Sequence, residues 1–115
     1  MEKIKLTVQE RSHLFNLLPK SGDYLTYKIL HDIKSQIFFS EVEVEKYGIK
    51  FEQQTDNKVL ILWEINAEKE IEIGDKGKEI IKKALQKLND ESLINDRNVS
   101  LYEKFMDKDN HEKKE

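Results

Sequence analysis

The side chains with the most chemistry to offer are three histidines, a run of alternating carboxylates and a row of lysines. His13, His31 and His111 are scattered along the chain, and no HExxH or related spacing brings two of them onto one helical turn with a carboxylate, so no metal site is expected. His31 precedes Asp32, but neighbours on a helix point about 100° apart, so the two do not form a base and its orienting partner. Gly74 and Gly77 bracket Asp75 without completing either a GxxxxGK[ST] or a GxGxxG phosphate cradle. Cysteine is absent, which removes thiol nucleophiles, disulfides and thiolate metal ligands, and suits a reducing, cytoplasmic setting. No catalytic residue, metal or cofactor is expected.

The carboxylates Glu41, Glu43 and Glu45 alternate with Val42 and Val44. They lack EF-hand spacing, and a helix would splay them to different sides, so a divalent cation is a poor fit. A solvated acidic surface is the plain reading. The sharper one is a patch that docks a basic protein or imitates phosphates, because residues 41–75 carry ten acidic and four basic groups. Phe38 and Phe39 are adjacent in a connection and cannot both turn inward, so at least one is a candidate contact residue, with Tyr47 beside it. Lys76, Lys83 and Lys87 share one edge of a long helix, and Lys78 and Lys82 the other. Such rows either touch phosphates or drape their methylene stems along the rim of an apolar face. Of the 20 basic residues 18 are lysine, so the planar fork that reads guanine is nearly missing.

These residues need elements to hold them. Thr7-Val-Gln-Glu10 has capping-box spacing and starts a helix at Val8 that Pro19 and Gly22 end. A second helix runs from Tyr24 to Ile37 behind Asp23, with Leu25, Ile29, Leu30, Ile33 and Ile37 in one stripe. Ser40-Glu-Val-Glu43 repeats the box, and Gly48 supplies a stop, so residues 41–47 read as a short helix although their period fits a strand equally well. From Ile49 the period is two: Ile49 and Phe51, a turn at 54–57, then Val59, Ile61, Trp63 and Ile65 with Leu60 and Leu62 opposite, and finally Glu70–Ile73. This predicts a three-stranded antiparallel meander whose middle strand, apolar on both faces, is covered, with Trp63 in the core. Asp75 is placed to cap a helix over 76–88, whose Ile80, Ile81, Ala84, Leu85 and Leu88 span an arc of about 140°. Ser100-Leu-Tyr-Glu103 opens a last short helix in which Tyr102 and Phe105 either seal the core or dock a second copy.

The expected whole is one α+β domain over residues 1–106, with helices on a three-stranded sheet, followed by a mobile charged tail over 107–115. At 115 residues it buries roughly two-thirds of its unfolded surface. No apolar stretch is long enough for a signal peptide or a membrane span.

Two helices, a short third helix and a hairpin is the order of a winged helix-turn-helix domain, with an added strand and long helix. That family places its third helix in the DNA major groove. Here the third helix carries Glu41, Glu43 and Glu45, which forfeit the counterion release that supplies most non-specific DNA affinity. At Leu17-Leu-Pro19, Thr26-Tyr-Lys-Ile29, Glu70-Ile-Glu-Ile-Gly74, Ala84-Leu-Gln-Lys-Leu-Asn89 and Ser100-Leu-Tyr-Glu-Lys-Phe105, the chain resembles a group of short uncharacterised proteins of phages and prophages of low-GC Gram-positive bacteria. The resemblance implies an accessory protein that binds a host or phage protein. The expectation is therefore a non-enzymatic, protein-binding inhibitor, occluding a basic partner through Phe38, Phe39, Glu41, Glu43, Glu45 and Tyr47. Its alternative is a winged-helix DNA-binding regulator working through Lys76, Lys83 and Lys87.

Overall fold

The computed structural model describes residues 2–53 and 59–106. Its elements run β1 (Glu2–Thr7), α1 (Val8–Leu17), α2 (Tyr24–Ile37), α3 (Glu41–Tyr47), β2 (Lys50–Gln53), β3 (Val59–Leu62), β4 (Glu68–Ile73), α4 (Asp75–Asp90) and α5 (Val99–Met106). The α+β class is as expected; the sheet is not. Among the described residues there are two separate two-stranded antiparallel sheets, β1 with β4 and β2 with β3. The turn expected at 54–57 and the tail over 107–115 fall outside the described residues.

The meander breaks between β3 and β4 for two reasons. The amides of Glu64 and Ile65 both donate to the carbonyl of Tyr47, at 2.9 and 3.1 Å, which bends the chain off the line of β3. Beyond the bend, β4 meets a better-matched partner: β1 alternates with the same period, and Ile4 lies opposite Ile71 in the register that runs from Glu2↔Ile73 to Thr7↔Glu68. Val8 N–H closes the join by donating to Ala67 O at 3.1 Å. β3 is consequently an edge strand rather than a covered middle one, and Leu60 and Leu62 remain 42% and 41% exposed.

The helix starts follow the cap chemistry with two corrections. Thr7 and Glu10 form the reciprocal box on α1, and Ser40 and Glu43 form the one on α3, each side chain satisfying an N–H that the first turn leaves unpaired. α3 ends on Gly48, whose φ of 64° is the left-handed stop that glycine adopts at little cost. The carboxylate of Asp23 accepts from Thr26 N at the start of α2. Gly74, not Asp75, occupies the cap position of α4, and no side chain bonds there. α5 begins one residue before Ser100, so the expected Ser100–Glu103 box is not the start signal. Asn98, just before α5, instead ties down the preceding loop: its Oδ1 accepts from Asn95 N at 2.8 Å and its Nδ2 donates to Leu93 O at 3.1 Å.

Two apolar cores follow from the two sheets. The larger gathers Leu6 and Ile71 from the first sheet, Leu14 of α1, Leu30 and Ile33 of α2, Ile81 and Leu85 of α4, and Leu101 and Phe105 of α5. Burying each such side chain is worth about 1.5–3 kcal/mol. The smaller packs Val8, Phe39, Ile49 and Ile61, with Val44, Tyr47, Val59 and Trp63 partly buried against it. Helix α1 stands between them, giving Leu14 to one and Val8 to the other.

Candidate functional site

The six residues expected to make an acidic, aromatic contact face do not stay together. Glu43 turns inward from α3, with its side chain only 12% exposed, and is gripped by Arg11 of α1. Arg11 is wholly buried and makes four hydrogen bonds: Nε to Ile37 O (2.9 Å), Nη2 to Phe38 O (2.9 Å) and to Glu43 Oε1 (3.1 Å), and Nη1 to Glu43 Oε2 (2.8 Å). Its guanidinium carbon lies 4.3 Å from the centre of the Phe39 ring. One arginine thus terminates α2, anchors α3 and covers an aromatic face. The Arg11 hydrogen bonds hold the Glu43 carboxyl down at about 2 against the cost of its burial, with help from the Ser40 amide, the Arg11 charge and Lys69.

Phe39, 7% exposed, belongs to the smaller core and cannot touch a partner. Phe38 is 38% exposed and lies 5.1 Å from Phe15 and 5.3 Å, stacked, from Phe51. Glu41 and Glu45 face solvent, while Tyr47 is half-buried and uses its carbonyl in the bend after β3. The acidic surface expected further along is locally countered: Lys3 sits 3.8 Å from Glu70 and 3.9 Å from Glu72, and Lys104 lies 3.8 Å from Glu68. Lys76, Lys83 and Lys87 are exposed on α4, and Lys87 also lines a cleft beside Leu88, Leu93 and Leu101. Trp63, expected in the core, is half-buried at its margin. His31 is exposed and stacks on Tyr27, and His111 is outside the described residues. Among the described residues, no three His, Cys, Asp or Glu side chains gather as a cation site would require.

What the fold does bring together is a groove of about 380 Å³ between α1 and the free edge of β3. Gln9, Ser12, His13 and Asn16 form one wall, the edge from Val59 to Trp63 forms the other, and Arg97 stands at the rim. Asn16 reaches across it: Nδ2 donates to Val59 O at 2.9 Å, and Val59 N donates to Asn16 Oδ1 at 3.1 Å. Burial, reinforced by the charge of Arg97, pushes the His13 imidazole below its usual value and keeps it neutral near pH 7. A second cleft, of about 450 Å³, lies on the other side of His13 and Asn16, towards α4 and the loop before α5.

The sequence singles out His13 as an isolated histidine and Val59 to Trp63 as a strand, but nothing in it marks that they meet across Asn16. The available signals were an asparagine and a serine on the helix that also carries Val8 and Leu14, and a strand with leucines on its second face. Among the described residues no helix is long and apolar enough to cross a membrane. The chain matches no family of known proteins, no curated protein and no solved structure.

Proposed function

We propose that this chain is a cytoplasmic protein-binding module, acting by being held against a partner protein rather than by catalysis. The single observation that carries the reading is the uncovered outer face of β3, where Leu60 and Leu62 are 42% and 41% exposed beside the α1 groove. A two-stranded hairpin has marginal stability in water on its own, and an apolar outer face on one marks a contact surface. The outward groups left from the expected acidic face, Glu41 and Glu45, are too few to carry docking. An accessory role in a phage or prophage, directed at a host protein, is the setting that the sequence likeness suggests.

The second reading is a duplex held along Lys76, Lys83 and Lys87, favoured by their common exposed edge on α4. Against it, the helix in the groove-reading position presents Glu41 and Glu45 outward. Photocrosslinkers placed at Leu62 and at Lys83 in host cells separate the two. Capture of one protein from position 62, unchanged by nuclease and abolished by Leu60→Lys, supports the module. Capture of nucleic acid from position 83 with nothing from position 62 replaces it.

A further inference from the structure

The Asn16–Val59 bonds fix which way the edge of β3 faces. An amide side chain accepts from Val59 N–H and donates to Val59 C=O as the peptide group of a neighbouring strand would. Both groups of Val59 therefore point away from β2. Strand residues alternate, so the N–H and C=O of Ile61, two places on, point the same way. Ile61 is 4% exposed and lines the groove beside α1, and no side chain among the described residues bonds to its main chain. Leu60 and Leu62, whose backbone groups face β2, flank the opening with their side chains.

From this geometry we infer that the groove takes an extended segment of the partner protein as an added strand on β3. Main-chain bonds form at Ile61, apolar side chains lie on Leu60 and Leu62, and an acidic side chain sits against Arg97. The inference rests on the protein-binding reading above and names its mode.

The shape decides between occupants. Asn16 already holds both main-chain groups of Val59, so the stretch left for pairing runs from Ile61 to Trp63, about 7 Å at 3.3 Å per residue, enough for two or three extended residues. A helix has its own backbone bonds closed, so it cannot satisfy the main-chain groups of Ile61. A second copy of this chain is a poor occupant, because its β3 edge is recessed beside its own α1 and two recessed edges do not meet. Charge selects the side chain: Arg97, for which no described residue supplies an ion pair, is the charged group lining the groove, since His13 is neutral there.

Added-strand binding draws its affinity from the main chain, so simple probes suffice. The probes are an end-blocked Val-Glu-Val-Glu-Val peptide, its Val-Lys-Val-Lys-Val counterpart, and the first peptide N-methylated at every residue. The glutamate peptide is expected to slow hydrogen exchange of the Ile61 amide at least tenfold, the lysine peptide to bind several-fold more weakly, and the N-methylated peptide not to bind. In Arg97→Glu the preference between the two charged peptides inverts. Unchanged Ile61 exchange under millimolar glutamate peptide, equal binding of the N-methylated form, or protection that grows with protein concentration alone each overturns the strand mode. If a protein is still captured from position 62 while Ile61 stays unprotected, the module reading survives and the strand mode does not.

Discussion

Arg11 and Glu43 meet in a fork, Nη1 at 2.8 Å from Oε2 and Nη2 at 3.1 Å from Oε1, and it is the arginine that is fully removed from solvent. Removing the carboxylate leaves a buried cation whose remaining partners are carbonyls. Glu43→Ala is expected to cost about 3–5 kcal/mol in chemical denaturation, whereas Glu45→Ala, two residues away and exposed, should stay within about 0.5 kcal/mol. Equal small effects would mean that the fork holds nothing in place.

The same pair sets an acid limit. A carboxyl that titrates at about 2 when folded and near 4.5 when unfolded contributes its full share above the unfolded value and loses it as pH falls towards the folded one. That share is about 3 kcal/mol. Glu10 acts in the same direction: burial raises it, but hydrogen bonds from Lys104, the Thr7 amide and Ser100 prevail. The histidine His13, depressed from 6.5, resists a proton that the unfolded chain accepts, so stability also slips as pH falls below that value. Melting midpoints of the parent should drop between about pH 5 and about pH 2, and those of Glu43→Gln should drop less.

Asn16→Ala removes both bonds to Val59 and is expected to cost about 1–3 kcal/mol, with faster amide exchange at Val59 but not in β4. A uniform loss of protection across both sheets would show that the groove wall and the larger core open together.

Strand parity in β3 gives a paired comparison. Ile61→Ala, 4% exposed in the parent, should cost about 2–5 kcal/mol, while Leu60→Lys and Leu62→Lys should leave the midpoint within about 0.5 kcal/mol. Comparable destabilisation by the lysine variants would mean that the outer face is covered within the chain itself.

At Gly48 an alanine must hold φ at 64°, and its Cβ would run into the Glu64 side chain. Thermal denaturation of Gly48→Ala should reveal a loss of about 1–2 kcal/mol, partly recovered by Glu64→Ala, because a flexible side chain yields where a backbone angle does not.

Local chemistry was legible in the sequence. Thr7 with Glu10, Ser40 with Glu43, Asp23, and the stop at Gly48 act within four residues, so spacing alone exposes them. The pairing of strands was not legible, because β1 and β4 choose each other across more than sixty residues and the alternation of Ile4 with Leu6 was too short to stand apart from a terminus. Glu43 misled for a related reason: a run of glutamates reads as surface unless the buried cation that calls one of them inward, 32 residues earlier, is known. Asn16 was hidden likewise, since its partner Val59 is a backbone and leaves no mark on residue type.

The Glu2↔Ile73 register also orders events during synthesis. Helices α1 and α2 can wind as soon as they leave the ribosome, but the first strand has no mate until the seventy-third residue is translated, roughly 4–15 s later at 5–20 residues per second. Throughout that interval Ile4 and Leu6 sit on an unmated ribbon next to other nascent chains. Arrested chains that stop short of β4 should therefore be cut by protease ahead of Val8, and chains extended far enough for β4 to emerge should resist.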